Sequence, residues 1–314
     1  MIYVVFVVVL LSLFAAGIGS QALFAFDLSD RLSEQLRASY LAKGAVQIAV
    51  LALAQDANPA SDGLNDVWAD NPELFRNHPL AGGWFSVGGD TAAPYGFVDE
   101  ERRINLNTAP EEVLTRLLQV VGGLRQDEAQ IAAESIEDWR DADDDQRPHG
   151  AEGFYYRSLR HAYDCKDGPF ENIEELLLVR GISPAAYHLI EPYVTVFGSG
   201  RLNLNTASPT VLQLLGLSQQ GVEGLRAYRS GEDSQEGTQD DRPLSVSGLQ
   251  MELERYVPIE DLARLSALAQ GGFLGTTSEA FRLSIRAHTP HPASGMRVAC
   301  IMDRHGTIRQ WTEQ

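Results

Sequence analysis

The sequence has no charged residue before Asp27, and this absence decides how its first segment is interpreted. About 20 apolar residues in a helix cross the hydrocarbon core of a bilayer, and residues 1–26 supply that length with few polar side chains. A cleaved secretory signal carries basic residues ahead of its apolar run, and none precedes this one. We therefore predict an uncleaved transmembrane segment over residues 1–26 in preference to a cleaved signal.

Basic residues are scarce relative to acidic ones, with 25 Lys and Arg against 43 Asp and Glu, and the formal net charge is −18. Proteins bind nucleic acids by placing Lys and Arg against the phosphates, so this composition argues against DNA or RNA as the main partner. Cysteine is also scarce. Cys165 and Cys300 are too few for a disulfide scaffold, and one disulfide or two buried free thiols remain open.

Proline is missing from residues 27–57, and this segment has the pattern of an amphipathic helix. Its apolar residues recur at every third or fourth position from Leu28 and Leu32 onward, as on one face of a helix. Joined to residues 1–26, it predicts one helix of about 50 residues and about 80 Å. The alternative is a kink at residues 17–19, where two glycines flank an isoleucine.

A five-residue repeat, Asn-Leu-Asn-Thr-Ala, occupies residues 105–109 and returns 98 residues later at 203–207. Each copy has the pattern of a strand that runs into a helix. Thr108 lies three residues before a glutamate, the spacing of a capping box, and Thr206 or Ser208 is the corresponding cap. We predict that the asparagines satisfy free amides at these helix starts and take no part in catalysis. They are Asn105, Asn107, Asn203 and Asn205.

The remaining secondary structure follows from hydrophobic periodicity. Strands are predicted at residues 83–87, 95–98, 193–197, 281–287 and 296–302. Helices are predicted at residues 127–139, 173–179, 184–190, 211–217 and 221–229, with an exposed acidic loop at 230–242. The last two strands are separated by a short proline-containing turn, so we expect them to form an antiparallel hairpin.

The strongest candidate site is an acidic loop between residues 138 and 152. Counted from Asp141, carboxylates fall at positions 1, 3, 5 and 12, the ligand spacing of a calcium loop. The predicted ligands are Asp141, Asp143, Asp145 and Glu152, with Asp138 as a further candidate. Gln146 and Pro148 depart from an EF-hand, and no Cys or His is placed to recruit zinc. The alternatives are a solvated acidic loop and, less favoured, a catalytic pair of carboxylates.

Taken in order, these motifs resemble the minor pseudopilin K family of the type II (general) secretion pathway. The segments that carry the resemblance are the N-terminal helix and residues 99–110, 138–143, 147, 150–152, 155–156, 169–170, 174–182 and 202–207. The resemblance implies an α+β fold with a long N-terminal transmembrane α-helix, a pseudopilin-type antiparallel sheet and an inserted, mainly helical domain.

The resemblance also implies a domain organisation. Residues 1–26 form the transmembrane segment, 27–57 the amphipathic continuation, 58–106, 193–204 and 278–314 the periplasmic sheet region, 107–192 the inserted α-helical domain with the acidic loop, and 205–277 a second helical segment. The protein is then a single-pass inner-membrane protein with most of the chain in the periplasm. The positive-inside rule points the other way, because the first basic residues follow the span; this localisation comes from the resemblance.

The resemblance further implies a non-enzymatic subunit that assembles with minor pseudopilins I and J at the pseudopilus tip. K-type proteins lack the early glutamate of other pseudopilins, and no acid precedes Asp27 here. They are reported to bind Ca²⁺, for which the acidic loop is the site this sequence offers, in a structural role. Their basic leader, cut by prepilin peptidase, is not seen before Met1.

A second resemblance, to helix-hairpin-helix modules of membrane-anchored DNA-uptake receptors, is carried by residues 176–182. Such hairpins grip phosphate through backbone amides of a glycine-containing turn with Lys or Arg nearby. Here Ser183 and Pro184 replace the second turn glycine, and the flanks are acidic. DNA binding is therefore the alternative function, ranked below the pseudopilin.

Overall fold

A computed structural model describes residues 1–56, 58, 60–80, 82–89, 94–290 and 295–313, apart from the side chain of residue 22. The α-helices are α1 Ile2–Ala54, α2 Pro72–Phe75, α3 Glu111–Arg116, α4 Gln126–Arg140, α5 Gly153–Arg157, α6 Pro184–Ile190, α7 Pro209–Leu214, α8 Gln219–Arg229, α9 Leu249–Leu253 and α10 Ile259–Gln270. The strands are β1 His78–Leu80, β2 Gly83–Val87, β3 Val98–Asp99, β4 Ile104–Asn105, β5 Val194–Thr195, β6 Leu202–Asn203, β7 Leu274–Gly275, β8 Ala280–His288, β9 Gly295–Asp303 and β10 Ile308–Glu313. Shorter 3₁₀ turns lie at Glu100–Arg102, Ile173–Leu178 and Glu191–Tyr193, and a π-helical turn at Leu117–Val121.

The N-terminal helix α1 is continuous over 53 residues, so the helix is not interrupted at residues 17–19. It contains an 18-residue window of mean hydropathy 2.7, none of it buried. By length and composition α1 is sufficient to cross a membrane.

The C-terminal part of α1 packs on the sheet. Its buried face is made mainly of small residues, including Ala38, Ala42, Ala45 and Ala49. Small side chains allow the helix axis to approach the strands closely, and α1 contacts β2, β8 and β9. The apolar core between helix and sheet is completed by Trp68, Phe75, Phe97 and Phe281, whose rings lie 5.2–5.7 Å apart in the pairs that touch.

The main sheet is antiparallel, with strand order β1-β2-β8-β9-β10 and with β3 also paired to β8. The predicted hairpin is confirmed, since β8 and β9 pair from Ala280↔Asp303 to His288↔Gly295. Part of its turn, residues 291–294, lies outside the described residues. The α+β fold with its long N-terminal helix and antiparallel sheet is thus confirmed.

Several local predictions differ from the structure. The segment 95–98 is a strand only at Val98, because Tyr95 instead bonds to residues 70 and 71 of the preceding loop. The segment 173–179 forms a 3₁₀ turn rather than an α-helix. Thr108 does not cap α3, whose N-cap is Pro110, because its hydroxyl donates to the Gly200 carbonyl.

The helical part of the chain leaves and re-enters the sheet at adjacent strands. Residues 100–279 connect β3 to β8, and those two strands pair directly, Asp99 opposite Phe281. Residues 193–204, grouped with the sheet in the sequence-based division, contribute β5 and β6 to two separate parallel pairs, β4·β5 and β6·β7. The helices pack around their own apolar core.

Candidate functional site

The two copies of the repeat make matching contacts at their asparagines. In each copy the first asparagine accepts the backbone N–H of the second: Asn105 from Asn107 and Asn203 from Asn205, both at 2.9 Å. The side chain of the second asparagine then pairs with both backbone groups of a distant residue. Asn107 does so with Phe170, and Asn205 with Leu244.

Each copy of the repeat is also bonded by an arginine that makes equivalent contacts. Arg140, at the end of α4, donates to the carbonyl oxygens of Leu106 at 2.5 Å and Ala109 at 2.9 Å. Arg229, at the end of α8, donates to the equivalent carbonyls of residues 204 and 207 at 2.7 and 2.9 Å. The repeat therefore marks a structural unit that occurs twice, from β4 to β5 (the first unit) and from β6 to β7 (the second unit).

In the first unit the acidic loop begins where α4 ends. Asp138, in the last turn of α4, is fully buried. The loop turns back over it at Gly150, where an added Cβ would lie 2.0 Å from Asp138 Oδ2. Glycine is therefore needed for the loop to approach this carboxylate so closely.

Arg147 lies among the carboxylates at this turn. Its Nη1 donates to Asp138 Oδ1 at 2.8 Å and to Asp141 Oδ2 at 2.6 Å, and its Nη2 to Glu137 Oε2 at 3.1 Å. The backbone N–H of Arg147 also contacts both oxygens of Asp138 at 3.3 Å. Burial lowers the pKa of the Arg147 guanidinium, but its bonds to Asp141 and Asp138 and the nearby charge of Glu137 outweigh burial and hold this pKa above its usual range.

Glu152 is a buried carboxylate of the loop that lacks a counter-charge in the part of the chain that the structure describes. It is 4% exposed, and neither carboxylate oxygen has a hydrogen-bond partner of normal geometry among the described residues. Burial, and then the charges of Asp138, Asp167 and Asp141, raise its pKa to about 7; the Cys165 thiol nearby offsets this only in part. Buried polar groups are almost always paired, so the arrangement favours a positive charge at this carboxylate.

The structure divides the sequence-predicted ligands into two sets. Asp138 and Asp141 lie close enough to Glu152 for their charges to contribute to its raised pKa. Asp143 and Asp145 are exposed, and Asp143 accepts the backbone N–H of residue 145 at 3.0 Å, a bond within the loop.

Asp167 was missed by sequence reasoning. Ligand-capable atoms of Asp167, Glu152 and Cys165 lie within 4.8 Å of one another. No spacing in the sequence connects Asp167 to the loop. Tertiary contacts place it there, since the backbone N–H of the next residue, Gly168, donates to the Trp139 carbonyl in α4 at 3.3 Å. We call Asp138, Asp141, Glu152 and Asp167 the acidic cluster.

The acidic cluster contains carboxylate oxygens of the kind that a hard divalent cation takes, and ligand oxygens of Glu152 and Asp167 lie within 4.8 Å of each other. Besides Glu152, Asp141 has a buried oxygen, Oδ1, without a hydrogen-bond partner among the described residues. Carboxylate oxygens are the ligands Ca²⁺ takes. The Cys165 thiol also lies near Glu152 and Asp167, a position that the sequence did not indicate. Burial raises the pKa of that thiol to about 12, so it stays protonated and is a poor metal ligand.

A second group of carboxylates, Asp56, Asp62 and Asp66, lies beyond the end of α1. Asp62 accepts from Arg304 and from the Ser278 backbone N–H. Asp66 accepts the Trp68 indole N–H at 3.2 Å, and burial raises its pKa to about 6. The bonds of Asp62 join the segment after α1 to residues next to β8 and β9, whereas Asp56 has a buried oxygen, Oδ2, without a hydrogen-bond partner among the described residues.

The chain combines a long apolar helix packed on an antiparallel sheet with a helical insertion between two paired strands. Residues 97–199 match the family model for type II secretion system (T2SS), protein K. Type II secretion system protein K of Klebsiella pneumoniae is 26% identical over 225 residues, 68% of each chain. That of Aeromonas hydrophila is 35% identical over 91 residues, 28% of each chain.

The fold comparison agrees over almost the whole chain. A chain in the crystal structure of the GspK-GspI-GspJ complex from the enterotoxigenic Escherichia coli type 2 secretion system matches with a TM-score of 0.65 and 18% identity. The match covers 94% of this chain and 99% of that one. The resemblance to type II secretion protein K is thereby confirmed, and no comparison supports DNA binding.

Proposed function

We propose that this protein is a K-type minor pseudopilin at the tip of the type II secretion pseudopilus, where it supports pseudopilus assembly and protein export across the outer membrane. The observation that carries the proposal is the fold match over 94% of the chain to a chain of the GspK-GspI-GspJ complex. The family match over residues 97–199 and the two protein K relatives support it. The role is structural rather than enzymatic.

In this proposal α1 anchors the protein in the inner membrane, and the sheet and the helical insertion lie in the periplasm. The apolar half of α1 supplies the anchor. The following turns carry an exposed apolar stripe, Leu28, Leu32, Leu36 and Tyr40, whose side chains are 47% to 70% exposed. A stripe spaced four residues apart suits packing against another helix, here the helices of minor pseudopilins I and J.

Co-expression with I and J tests the proposal. We expect the full chain, extracted in detergent, to co-purify with both proteins. Changing Leu32 and Leu36 together to Glu places charge in the helix contact and should abolish recovery of at least one partner. The matched control is Leu189→Glu, which changes an exposed leucine of α6 in the helical insertion and should leave recovery intact. Failure of the unmodified chain to recover either partner would contradict the assembly.

We also propose that the acidic loop binds a structural Ca²⁺. In the sequence-based set the ligands are Asp138, Asp141, Asp143, Asp145 and Glu152; the unpaired buried oxygens support Asp141 and Glu152 most strongly, with Asp167 as an addition. Bound Ca²⁺ would supply positive charge that fixes the loop against α4. A ligand that binds only the folded state stabilises by about 2.7 kcal/mol at one hundred times its dissociation constant.

Thermal unfolding in calcium and in chelator tests this site. Calcium should raise the Tm of the full chain, and Glu152→Gln should abolish the rise. Asp143→Ala discriminates the two ligand sets: loss of the calcium effect places Asp143 in the coordination sphere, and retention restricts the site to the acidic cluster. Equal Tm values in millimolar calcium and in chelator would leave the loop as a solvated acidic segment.

A further inference from the structure

Arg147 occupies a specific position in the acidic cluster. It bonds Asp138 and Asp141 through the same nitrogen, Nη1, at 2.8 and 2.6 Å. A cation already present among carboxylates has two opposite consequences for a metal site. It either competes with the metal for the same oxygens or holds those carboxylates in place for it.

The oxygens that Arg147 uses decide between these roles. At Asp141 it takes Oδ2 and leaves Oδ1 buried without a hydrogen-bond partner among the described residues. At Glu152 both oxygens are without a partner, so Arg147 leaves that carboxylate for another charge. The guanidinium therefore fixes one side of Asp141 while the oxygen on the other side stays available.

The excess negative charge of the acidic cluster also favours a positioning role for Arg147 over competition with the metal. The four carboxylates of the acidic cluster have one guanidinium among them, Arg147, because the other nearby arginine, Arg140, balances the charge of Glu137, a further carboxylate that Arg147 also bonds. With all four ionised, three negative charges remain in excess, so a divalent cation can enter without displacing Arg147. Its displacement would leave Asp138, which is fully buried, without its charged partner.

We propose that Arg147 is a positioning residue for the cation site, holding Asp138 and Asp141 in the orientation that a cation at Glu152 requires. This inference rests on the proposed calcium function of the same loop. The planar guanidinium is suited to the task because its donors have a fixed geometry, whereas the ammonium of lysine acts as a point charge.

The test is isothermal titration of CaCl₂ into the full chain in detergent micelles. Arg147→Gln should weaken calcium binding by about 10- to 100-fold, the usual effect of removing a group that orients a metal ligand. Arg147→Lys keeps the positive charge but lacks the planar guanidinium with its fixed donors, so it should also weaken calcium binding. The control is Arg157→Gln, which removes the same charge from an exposed pair with Asp164 and should leave the affinity within about twofold.

The outcomes separate the two proposals. Removing a positive charge near an acidic site favours cation binding by simple electrostatics, so weaker binding in Arg147→Gln requires the positioning role. Unchanged or tighter binding in a folded Arg147 variant, with normal binding by the unmodified chain, would overturn the inference and leave the calcium site standing. If Arg147→Gln does not fold, Arg147→Lys decides by the same criterion. No binding to the unmodified chain would overturn the calcium proposal, and the role of Arg147 with it.

Discussion

The two repeated units share their framework and an acidic loop that follows the arginine, and they differ in the residue that precedes the arginine by two positions. Arg140 and Arg229 bond the same pair of carbonyl oxygens in their respective units. The position two residues before the arginine is Asp138 in the first unit and Ala227 in the second. The contacts that build the unit therefore do not require a buried acid at this position, and Asp138 needs a separate explanation, for which we propose cation binding.

The arginines give the sharpest test of the shared framework. Arg229→Ala should lower the free energy of unfolding by about 3–5 kcal/mol, because it leaves two buried carbonyls without their donor and leaves Glu236 with the longer ion pair to Arg226, at 3.6 Å. Arg140→Ala should cost less, since Glu137 keeps its bond to Arg147. Urea unfolding of the full chain in detergent, followed by circular dichroism, measures both losses.

The control for the arginine pair is Arg201→Ala, an exposed arginine between the two units. We expect its effect to lie within about 0.5 kcal/mol of zero. A loss no larger than this for Arg229→Ala would show that the matching contacts do not stabilise the units.

The asparagines test the same framework with a smaller effect. Asn205→Ala should destabilise by about 1–3 kcal/mol, since both backbone groups of Leu244 lose their partner in a buried site. Asn107→Ala should act in the same direction through Phe170. The exposed Asn65→Ala serves as the reference. Equal stability of all three variants in the urea assay would contradict the structural role of the repeat.

The smallest predicted effect is on the pH dependence of stability, to which Glu152 of the first unit's acidic loop contributes. The pKa of Glu152 is raised from 4.5 to about 7 in the folded protein, so the folded state holds this proton more tightly than the unfolded state. Its contribution to stability is present below about pH 4.5 and is lost as the pH rises towards 7. Urea unfolding in chelator should therefore show a steeper fall over this range in the unmodified chain than in Glu152→Gln.

Glu101 must be considered in that comparison, because burial raises its pKa to about 7 as well. Glu101 is present in both the unmodified chain and Glu152→Gln, so the difference between their slopes of stability against pH reports on Glu152. Calcium should reduce this difference, since a bound cation favours the ionised carboxylate. Identical slopes with and without the Glu152 carboxyl would remove the electrostatic basis for the site.

Local sequence patterns predicted the elements whose stabilising contacts are regular. Helix α1 and the β8–β9 hairpin follow from unbroken periodicity over many residues. Ser208 caps α7 as predicted, accepting the backbone N–H of Val211. Thr108 has the same local signature and fails, because a carbonyl at Gly200, distant in sequence, competes for its hydroxyl.

The candidate site was harder to predict for the same physical reason. Ligand spacing placed Asp141, Asp143, Asp145 and Glu152 in one loop, yet spacing along a chain does not tell which side chains turn inward. Burial of Glu152 depends on α4 and on the segment that carries Asp167, neither of which is near it in sequence. The repeat could have pointed to the arginines, because the second α-helix after each copy ends in an arginine, Arg140 in α4 and Arg229 in α8.

Protein export tests the central claim most directly. In the source organism with the gene for this chain deleted, the amount of exported protein outside the cell should fall, and the intact gene should restore it. The Leu32 and Leu36 double change to Glu should fail to restore export, whereas Leu189→Glu should succeed. Undiminished export in the deletion strain would contradict a role as a K-type minor pseudopilin.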